Sequence, residues 1–402
     1  MQEVIELDVS RPDWYHNANN NRITRRGLTR CPLPERPEQC QLPACYCSKS
    51  GRSIPGGLSA ENVPQMVVLT FDDAMTTKTY DIYKRLFNGR FVNPNGCPIK
   101  ATFFVSHEWN NYDESQWAYH NGHEVAVNSI THETLSNEGT DRWRAEMKGM
   151  KILLRDQSFI DSTSIKGLRA PQLALGGDNQ FFMMKEQGFD YDNSMSANPG
   201  RQDPPFWPQT LDFSIPWTCE IEPCPSQSHP GIWEVPINQF YGYYIPEIDQ
   251  YKRGAMIRAV MKADDTKDDV LRILRENFDR AYNSNRAPYV LTLNADFLTV
   301  LSNNASVLAL EEFLQEILEK SGVFIVTMEE VIEWMKNPTS LHEVVNFKSW
   351  QCNQFRHPVP ICQTPNNCGY DTQLPTGKHW FSTCAACPDV YPWLHNPDGR
   401  ML

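Results

Sequence analysis

No stretch of this chain approaches the roughly 18 consecutive apolar residues that a membrane-crossing helix requires, so a helical membrane span is not expected. Positive charge is also scarce. The 37 Lys and Arg are outnumbered by 49 Asp and Glu, for a formal net charge of −12, where nucleic-acid binders carry basic patches. The one basic cluster is Arg22-Ile23-Thr24-Arg25-Arg26 near the start. Nucleic acid is therefore set aside as a partner, and a neutral polysaccharide or small molecule fits the charge balance better. Four His-Glu pairs occur, at His107, His123, His132 and His342, and none continues to the HExxH of a zinc protease. A GxSxG elbow, a P-loop and a dinucleotide fingerprint are missing too. No internal repeat or low-complexity tract appears. The start, Met1-Gln2-Glu3-Val4-Ile5-Glu6, is acidic where a signal peptide is basic and then apolar, which reads as a mature terminus with an added initiator Met.

What is present begins with cysteine. The 12 cysteines are an even number and cluster at the ends: Cys31, Cys40, Cys45 and Cys47, then Cys352, Cys362, Cys368, Cys384 and Cys387, with Cys97, Cys219 and Cys224 between. Neither terminal cluster has the paired CxxC units or accompanying HxxxH of a zinc finger. A disulfide framework in an oxidising, secretory compartment is expected, with pairing not readable from spacing. The sequon Asn304-Ala305-Ser306 is compatible with that compartment. With 40% hydrophobic and 21% charged residues, the 402-residue chain reads as globular and able to bury a large core.

Residues 1–54 and 346–402 are Cys- and Pro-containing and aperiodic, and read as disulfide-pinned extensions on a central domain spanning 55–345. Inside that domain short apolar runs suit buried parallel strands: Met66–Phe71, Ala101–Val105, His123–Val127, Gly167–Ala170, Pro288–Leu293 and Val323–Val326. Between them lie helical stripes. Trp143, Met147, Met150 and Leu154 share one face, as do Val270, Leu271, Leu274, Phe278 and Tyr282. A third stripe, Leu310, Leu314, Ile317 and Leu318, is read as ending at Gly322, and a last helix runs from Glu329 to Lys336. Strands alternating with helices predict an α/β fold with a parallel sheet, preferably a barrel. Residues 195–246 differ, with Trp207, Trp217, Trp233, Tyr241, Tyr243 and Tyr244 among prolines. They read either as a self-packed loop or as a sugar-binding wall, in which Trp207, Trp217 and Trp233 would line an open cleft.

Five segments bear chemistry, each at a predicted strand end: Thr70-Phe71-Asp72-Asp73, Asn128-Ser129-Ile130-Thr131-His132, Arg169-Ala170-Pro171-Gln172, Asp190-Tyr191-Asp192-Asn193-Ser194 and Leu293-Asn294-Ala295-Asp296. Adjacent carboxylates at the end of a barrel strand are costly to place without a cation. Taken together and in this order, the segments resemble the polysaccharide deacetylases of carbohydrate esterase family 4. The resemblance is closest to arthropod chitin deacetylases, and covers roughly residues 31 to 400. Ile54-Pro55-Gly56-Gly57-Leu58, Gly176-Gly177-Asp178-Asn179-Gln180 and Tyr391-Pro392-Trp393-Leu394 also look like the insect subgroup.

The resemblance implies a distorted (β/α) barrel with one mononuclear metal, usually zinc, acting on chitin or chitin oligosaccharides outside the cell, and a monomer. It implies Asp72 as general base, Asp73 and His132 as metal ligands, and Arg169 as the residue holding the base. The N–H of Gln172 would be an oxyanion donor, and Asp192 would support the catalytic acid. Two positions depart from the family. Asn128 stands where the first ligating histidine belongs, and offers a neutral amide oxygen that zinc accepts less readily than imidazole. Asn294 stands where the acid histidine belongs and cannot transfer a proton, which leaves Asp296, His123 or solvent to do so. The first reading is therefore an active N-deacetylase that converts chitin to chitosan and acetate. The Asn substitutions keep a second one open, a chitin-binding matrix protein on a weakened scaffold. A third is an esterase on acetylated xylan or another glycan. The separate chitin-binding module and the lipoprotein-receptor repeat of some relatives are missing.

Overall fold

The computed structural model describes residues 28–32, 37–352 and 359–401; the acidic start and the Arg22–Arg26 cluster lie outside them. The chain first runs through β1 (Gln65–Asp72), α1 (Thr77–Leu86), β2 (Thr102–Val105), α2 (Tyr112–His120), β3 (Glu124–Val127) and α3 (Thr140–Ser158). Next come β4 (Gly167–Leu168), α4 (Gly177–Gln187) and β5 (Tyr191–Asp192), then the short strands β6 (Ser196–Ala197), β7 (Gln209–Thr210), β8 (Trp233–Glu234) and β9 (Ile237–Asn238). A hairpin, β10 (Phe240–Ile245) and β11 (Gln250–Gly254), precedes α5 (Lys267–Tyr282), β12 (Tyr289–Leu293), α6 (Ala295–Thr299) and α7 (Ala305–Leu318). Last are β13 (Val323–Ile325), α8 (Met328–Lys336), β14 (Asn366–Asp371) and β15 (Lys378–Thr383).

The main sheet has the order β12-β1-β2-β3-β4-β5-β8-β7, with β13 also paired to β1. Every pairing in it is parallel except β7 with β8. The sheet curls into a half-barrel, the distorted barrel expected. Each of the six expected strands is present within a residue or two of its predicted bounds.

Strand alternation divides the core in two. Val67, Leu69 and Phe71 of β1 pack beneath the outer helices with Tyr83, Trp143, Met147, Met150 and Leu154. Met66 and Val68 face the other way, into an interior filled by Phe104, Trp207, Trp233, Phe324 and the α8 residues Val331 and Trp334. Period-2 alternation sends Asp72 to the same side as Met66 and Val68, so its carboxylate caps the filled interior at the C-terminal end of the sheet. The helices start on sequence signals, with reciprocal capping boxes at Thr76/Thr79, Thr266/Asp269 and Thr327/Glu330. One expected boundary is wrong: α7 stops at Leu318 and not at Gly322. Gly322, at φ 76°, instead makes the turn into β13, and its carbonyl accepts the Gln65 N–H at 2.8 Å.

All 12 cysteines are paired, with bridges 31–47, 40–45, 97–352, 219–224, 362–384 and 368–387. The expectation that disulfides tie both extensions to the barrel holds for one of them only. The amino-terminal four bridge each other, and that segment docks by hydrogen bonds: Tyr46 N–H donates to Thr210 Oγ1 (3.1 Å) and Ser48 N–H to Gln209 Oε1 (2.6 Å), along the outermost strand β7. The carboxy-terminal segment is bound covalently through Cys97–Cys352 and then lies on α2 and α3. There Cys362 N–H donates to Gln116 (3.0 Å), Thr383 Oγ1 to the Gln157 carbonyl (2.7 Å) and Ser382 to the Asp113 carboxylate. Cys97–Cys352 closes by far the longest loop, a separation of 255 residues. Its replacement by Ala at both positions is expected to cost about 2–4 kcal/mol, measured as a lower midpoint in urea.

Candidate active site

The chemistry-bearing side chains gather at the C-terminal ends of β1, β3 and β4. Asp72 ends β1, and Asp73 follows in a left-handed turn at φ 81°. Arg169, directly after β4, is fully buried. Its guanidinium makes four hydrogen bonds: Nη1 donates to Asp72 Oδ1, Nη2 to Thr70 Oγ1 (3.1 Å) and to Asn193 Oδ1, and Nε to the Asn193 carbonyl (2.9 Å). It also lies over the Phe104 ring at 4.1 Å. A buried guanidinium without such partners would be strongly destabilising. Burial pushes the Asp72 pKa up, and Arg169 and then His132 oppose it.

His132 Nε2 approaches Asp73 Oδ1 at 3.5 Å. Burial raises Asp73 to about 6 against the pull of His132, with Asp72 and Asp296 pushing the same way as burial. The turn carrying His132 is pinned from α3 by the fully buried Glu146. That carboxylate accepts the N–H groups of Ile130 and Thr131 (both 2.9 Å), the Thr131 hydroxyl (2.6 Å) and Arg142 Nε (3.0 Å). Sequence reasoning missed Glu146, because a glutamate inside a helix pattern carries no signal of what its carboxylate meets.

Asn128, which ends the run of β3, is buried, and its Nδ2 donates to the Arg169 carbonyl at 3.0 Å. That bond fixes the amide's orientation, because a carbonyl cannot accept from Oδ1. Oδ1 has no hydrogen-bond partner. Among the described residues no three His, Cys, Asp or Glu side chains are grouped to hold a metal ion. Asp73, His132 and the unpaired Asn128 oxygen offer O, N and O donors of the kinds zinc accepts. A buried polar atom left unsatisfied is expensive, and a cation there would remove the penalty.

The resemblance gives Asp192 the support of the catalytic acid. Fully buried on β5, Asp192 accepts from Gln180 Nε2 (2.7 Å), Ser194 Oγ (2.6 Å) and Ser194 N–H (3.0 Å). Ser194 Oγ in turn accepts the Ala170 N–H at 2.7 Å. Asp192 thus braces the turn after Arg169, and no hydrogen bond joins it to Asn294. It also faces Glu234, its register partner on β8, which the sequence did not flag. Both carboxyls are fully buried, and burial raises both, Asp192 to about 6 and Glu234 well above the usual range. Two buried carboxyls on adjacent strands favour keeping a proton over ionising together. The folded state therefore binds that proton more tightly than the unfolded chain. Its contribution to stability is full below the ordinary glutamate value of 4.5 and drains away as pH rises through the elevated one. Glu234→Gln is expected to flatten the fall in stability between about pH 5 and 8, read from denaturant midpoints across pH.

Asn294 is the N-cap of α6, its Oδ1 accepting the Phe297 N–H at 3.0 Å. Asp296, in the first turn of α6, is exposed and close enough to raise the Asp73 pKa. His123 is ruled out as a proton donor to this site. It lies just before β3, at the opposite end of the strand, buried among Phe87, Phe103 and Trp117 with its pKa pushed down to about 3 by burial. Gln172 sits on an exposed turn at φ 57°, three residues beyond Arg169.

The three tryptophans expected to line a cleft do not. Trp207 is completely buried and stacked on Trp334 (centroids 5.8 Å), Trp233 is on β8 within the interior, and Trp217 is buried against Phe206, its Nε1 on Met195 Sδ at 3.1 Å. The concave side of a curled sheet demands large side chains to fill it, and these supply the volume. Trp207→Ala is expected to cost about 3–5 kcal/mol of stability while leaving oligosaccharide affinity, measured by calorimetry, unchanged.

Residues 59–189 match the family model described as polysaccharide deacetylase. Chitin deacetylase 1 of Bombyx mori is 40% identical over 370 residues, covering 90% of this chain and 68% of that protein. Chitin deacetylase 8 of Bombyx mori is 33% identical over 373 residues, 90% of this chain and 92% of that one. Among solved structures, the Xyl-CE4 domain of a multidomain xylanase from the hindgut metagenome of Trinervitermes trinervoides is similar at 16% identity and a TM-score of 0.36, covering 67% of this chain and 90% of that one.

Proposed function

The chain belongs to the polysaccharide deacetylases, and from that membership we propose that it is a secreted, metal-dependent hydrolase of the N-acetyl groups of chitin. Its products would be glucosamine units and acetate. The observation that carries this reading is the meeting of Asp72, Asp73, His132, Asn128 and Arg169 at adjoining strand ends. The likeness to two chitin deacetylases over 90% of the chain supports chitin as the substrate. Six disulfides support an oxidising, extracellular setting, and the absence of any long apolar helix among the described residues is compatible with it.

Asp73, His132 and Asn128 Oδ1 would hold the metal, zinc by the nature of the donors. Bound there, it would supply a polarised acetamide carbonyl and an acidified water. Asp72 then takes a proton from the attacking water. Its ion pair with Arg169 fixes the carboxylate in place and favours its ionised form against the burial that raises its pKa. The N–H of Gln172, on its exposed turn, is the candidate donor to the oxyanion. The leaving amine needs a proton, and Asn294 has neither a proton to give nor a free oxygen, since that oxygen caps α6. Asp296, two residues further on and close enough to act on the Asp73 charge, is the candidate acid.

Release of acetate from N-acetylglucosamine oligosaccharides, abolished by a chelator and restored by zinc, is the expected result. Asp73→Ala is expected to lower the zinc content of the purified protein, and Asp72→Asn to slow release by about 10²-fold or more. Asp296→Asn should slow it comparably, whereas Asn294→Ala should mainly remove a helix cap and cost about 1 kcal/mol of stability. Zinc-loaded protein that binds chitin yet releases no acetate would instead make the chain a chitin-binding matrix protein on a deacetylase scaffold.

A further inference from the structure

Two of the largest apolar side chains in the molecule remain in water side by side. Trp109, in the loop after β2, is 42% exposed, and Trp380, on β15 of the carboxy-terminal segment, is 50% exposed. Their ring centroids are 6.1 Å apart with planes inclined by 32°. Each indole is held from behind. Trp109 stacks on His379 at 5.7 Å and 19°. His379 is itself buried and fixed by Thr372 Oγ1 (3.1 Å), Thr376 Oγ1 (2.8 Å) and Glu108 Oε1 (3.2 Å). Trp380 lies across its register partner Gly369, where a Cβ would come within 2.6 Å of the indole nitrogen. Only glycine permits that ring to lie flat on the hairpin.

The backbone adds a second observation. Trp109 has φ 67°, a conformation that a bulky L residue adopts at a cost and that persists where the surroundings over-determine it. The chain thus accepts strain in order to keep a large ring half in solvent. The loop bearing Trp109 is tied to the chain just beyond Asp73. The Asn110 side chain accepts the Met75 N–H at 2.9 Å and Asn111 N–H donates to the Met75 carbonyl at 2.8 Å, two residues beyond Asp73. Around the rings stand Glu108 and Thr376, a carboxylate and a hydroxyl in place of aliphatics.

We propose that Trp109 and Trp380 form a stacking platform for pyranose rings of the substrate chain that lie beyond the sugar being deacetylated. A pyranose offers a flat C–H face to an aromatic ring and a rim of hydroxyls to acceptors such as Glu108, which matches both features here. A protein partner would need a far larger apolar surface, on the order of 800 Å² on each side. The platform is built jointly by the barrel and the carboxy-terminal segment, which gives that segment a role in recognition as well as in stability. This inference rests on the reading of the chain as acting on an N-acetylglucosamine polymer.

The test is calorimetry of the full chain with N-acetylglucosamine pentamer and dimer. Trp380→Ala and Trp109→Gly are each expected to lower the ratio of pentamer to dimer affinity about tenfold, as loss of an aromatic anchor does. Trp380→Phe should retain part of it. Trp109→Gly suits the left-handed backbone, so its melting temperature should equal or exceed that of the wild type, and lost affinity then cannot be ascribed to lost folding. A pentamer affinity within twofold of wild type in both indole-deletion variants overturns the platform. If the wild type prefers xylan oligosaccharides and the same variants weaken them, the platform stands and the chitin reading falls. If the wild type binds neither sugar, both fall.

Discussion

The ion pair between Arg169 and Asp72 is the constraint around which the upper part of the molecule is arranged. A guanidinium with no solvent exposure needs partners inside the protein, and they come from three strands: Asp72 and Thr70 on β1, Asn193 after β5, and the Phe104 face on β2. Those bonds lock the ends of neighbouring strands to one another. The Arg169 carbonyl, meanwhile, orients the Asn128 amide, and Asp192 holds the following turn through Ser194. Arg169 therefore sets the base and the Asn128 amide, and Asp192 sets the turn bearing Gln172. Removing Arg169 would leave Asp72 buried without its counter-charge.

Below that layer the half-barrel is plugged. The tryptophans that a reading of composition takes for a binding wall are its filling: Trp207 on Trp334, with Trp233 beside them. A closed barrel can fill its interior with Val, Ile and Leu from opposing strands. An open, curled sheet has fewer facing strands, and bulky rings from connecting segments and α8 make up the volume. Large exposed rings lie instead in the loop after β2 and on the carboxy-terminal hairpin, at Trp109 and Trp380.

The strands were legible because parallel, doubly buried strands are short continuous apolar runs, and all six expected runs are strands. Helix faces such as Trp143, Met147, Met150 and Leu154 were legible for the same kind of reason, a period that survives in one dimension. Asp72, Asp73, His132 and Arg169 could be marked because a motif fixes their places relative to strand ends. What failed was everything that depends on three-dimensional neighbours. Exposure of an aromatic is not encoded in its local sequence, so sequence alone leaves Trp207 and Trp233 open between a packed loop and a sugar-binding wall, and does not single out Trp109 and Trp380. Glu146 and Glu234 were invisible because their partners lie on other elements. The cap at Asn294 could have been seen: Asn directly before Ala295-Asp296-Phe297 is a common helix start.

The long bridge has a consequence for how the chain is made. Cysteines appear from the ribosome in the order 31, 40, 45, 47, 97, 219, 224 and 352. The first four form a closed set, as do Cys219 and Cys224, so Cys97 is the odd thiol throughout. At about 5–20 residues per second the 255 residues to its partner take about 10–50 s to synthesise. During that interval Cys219 and Cys224 emerge ahead of Cys352, so the next cysteines to follow Cys97 are not its partner. Correct pairing of Cys97 therefore requires that Cys219 and Cys224 close on each other, or that thiol–disulfide exchange undo a wrong bridge.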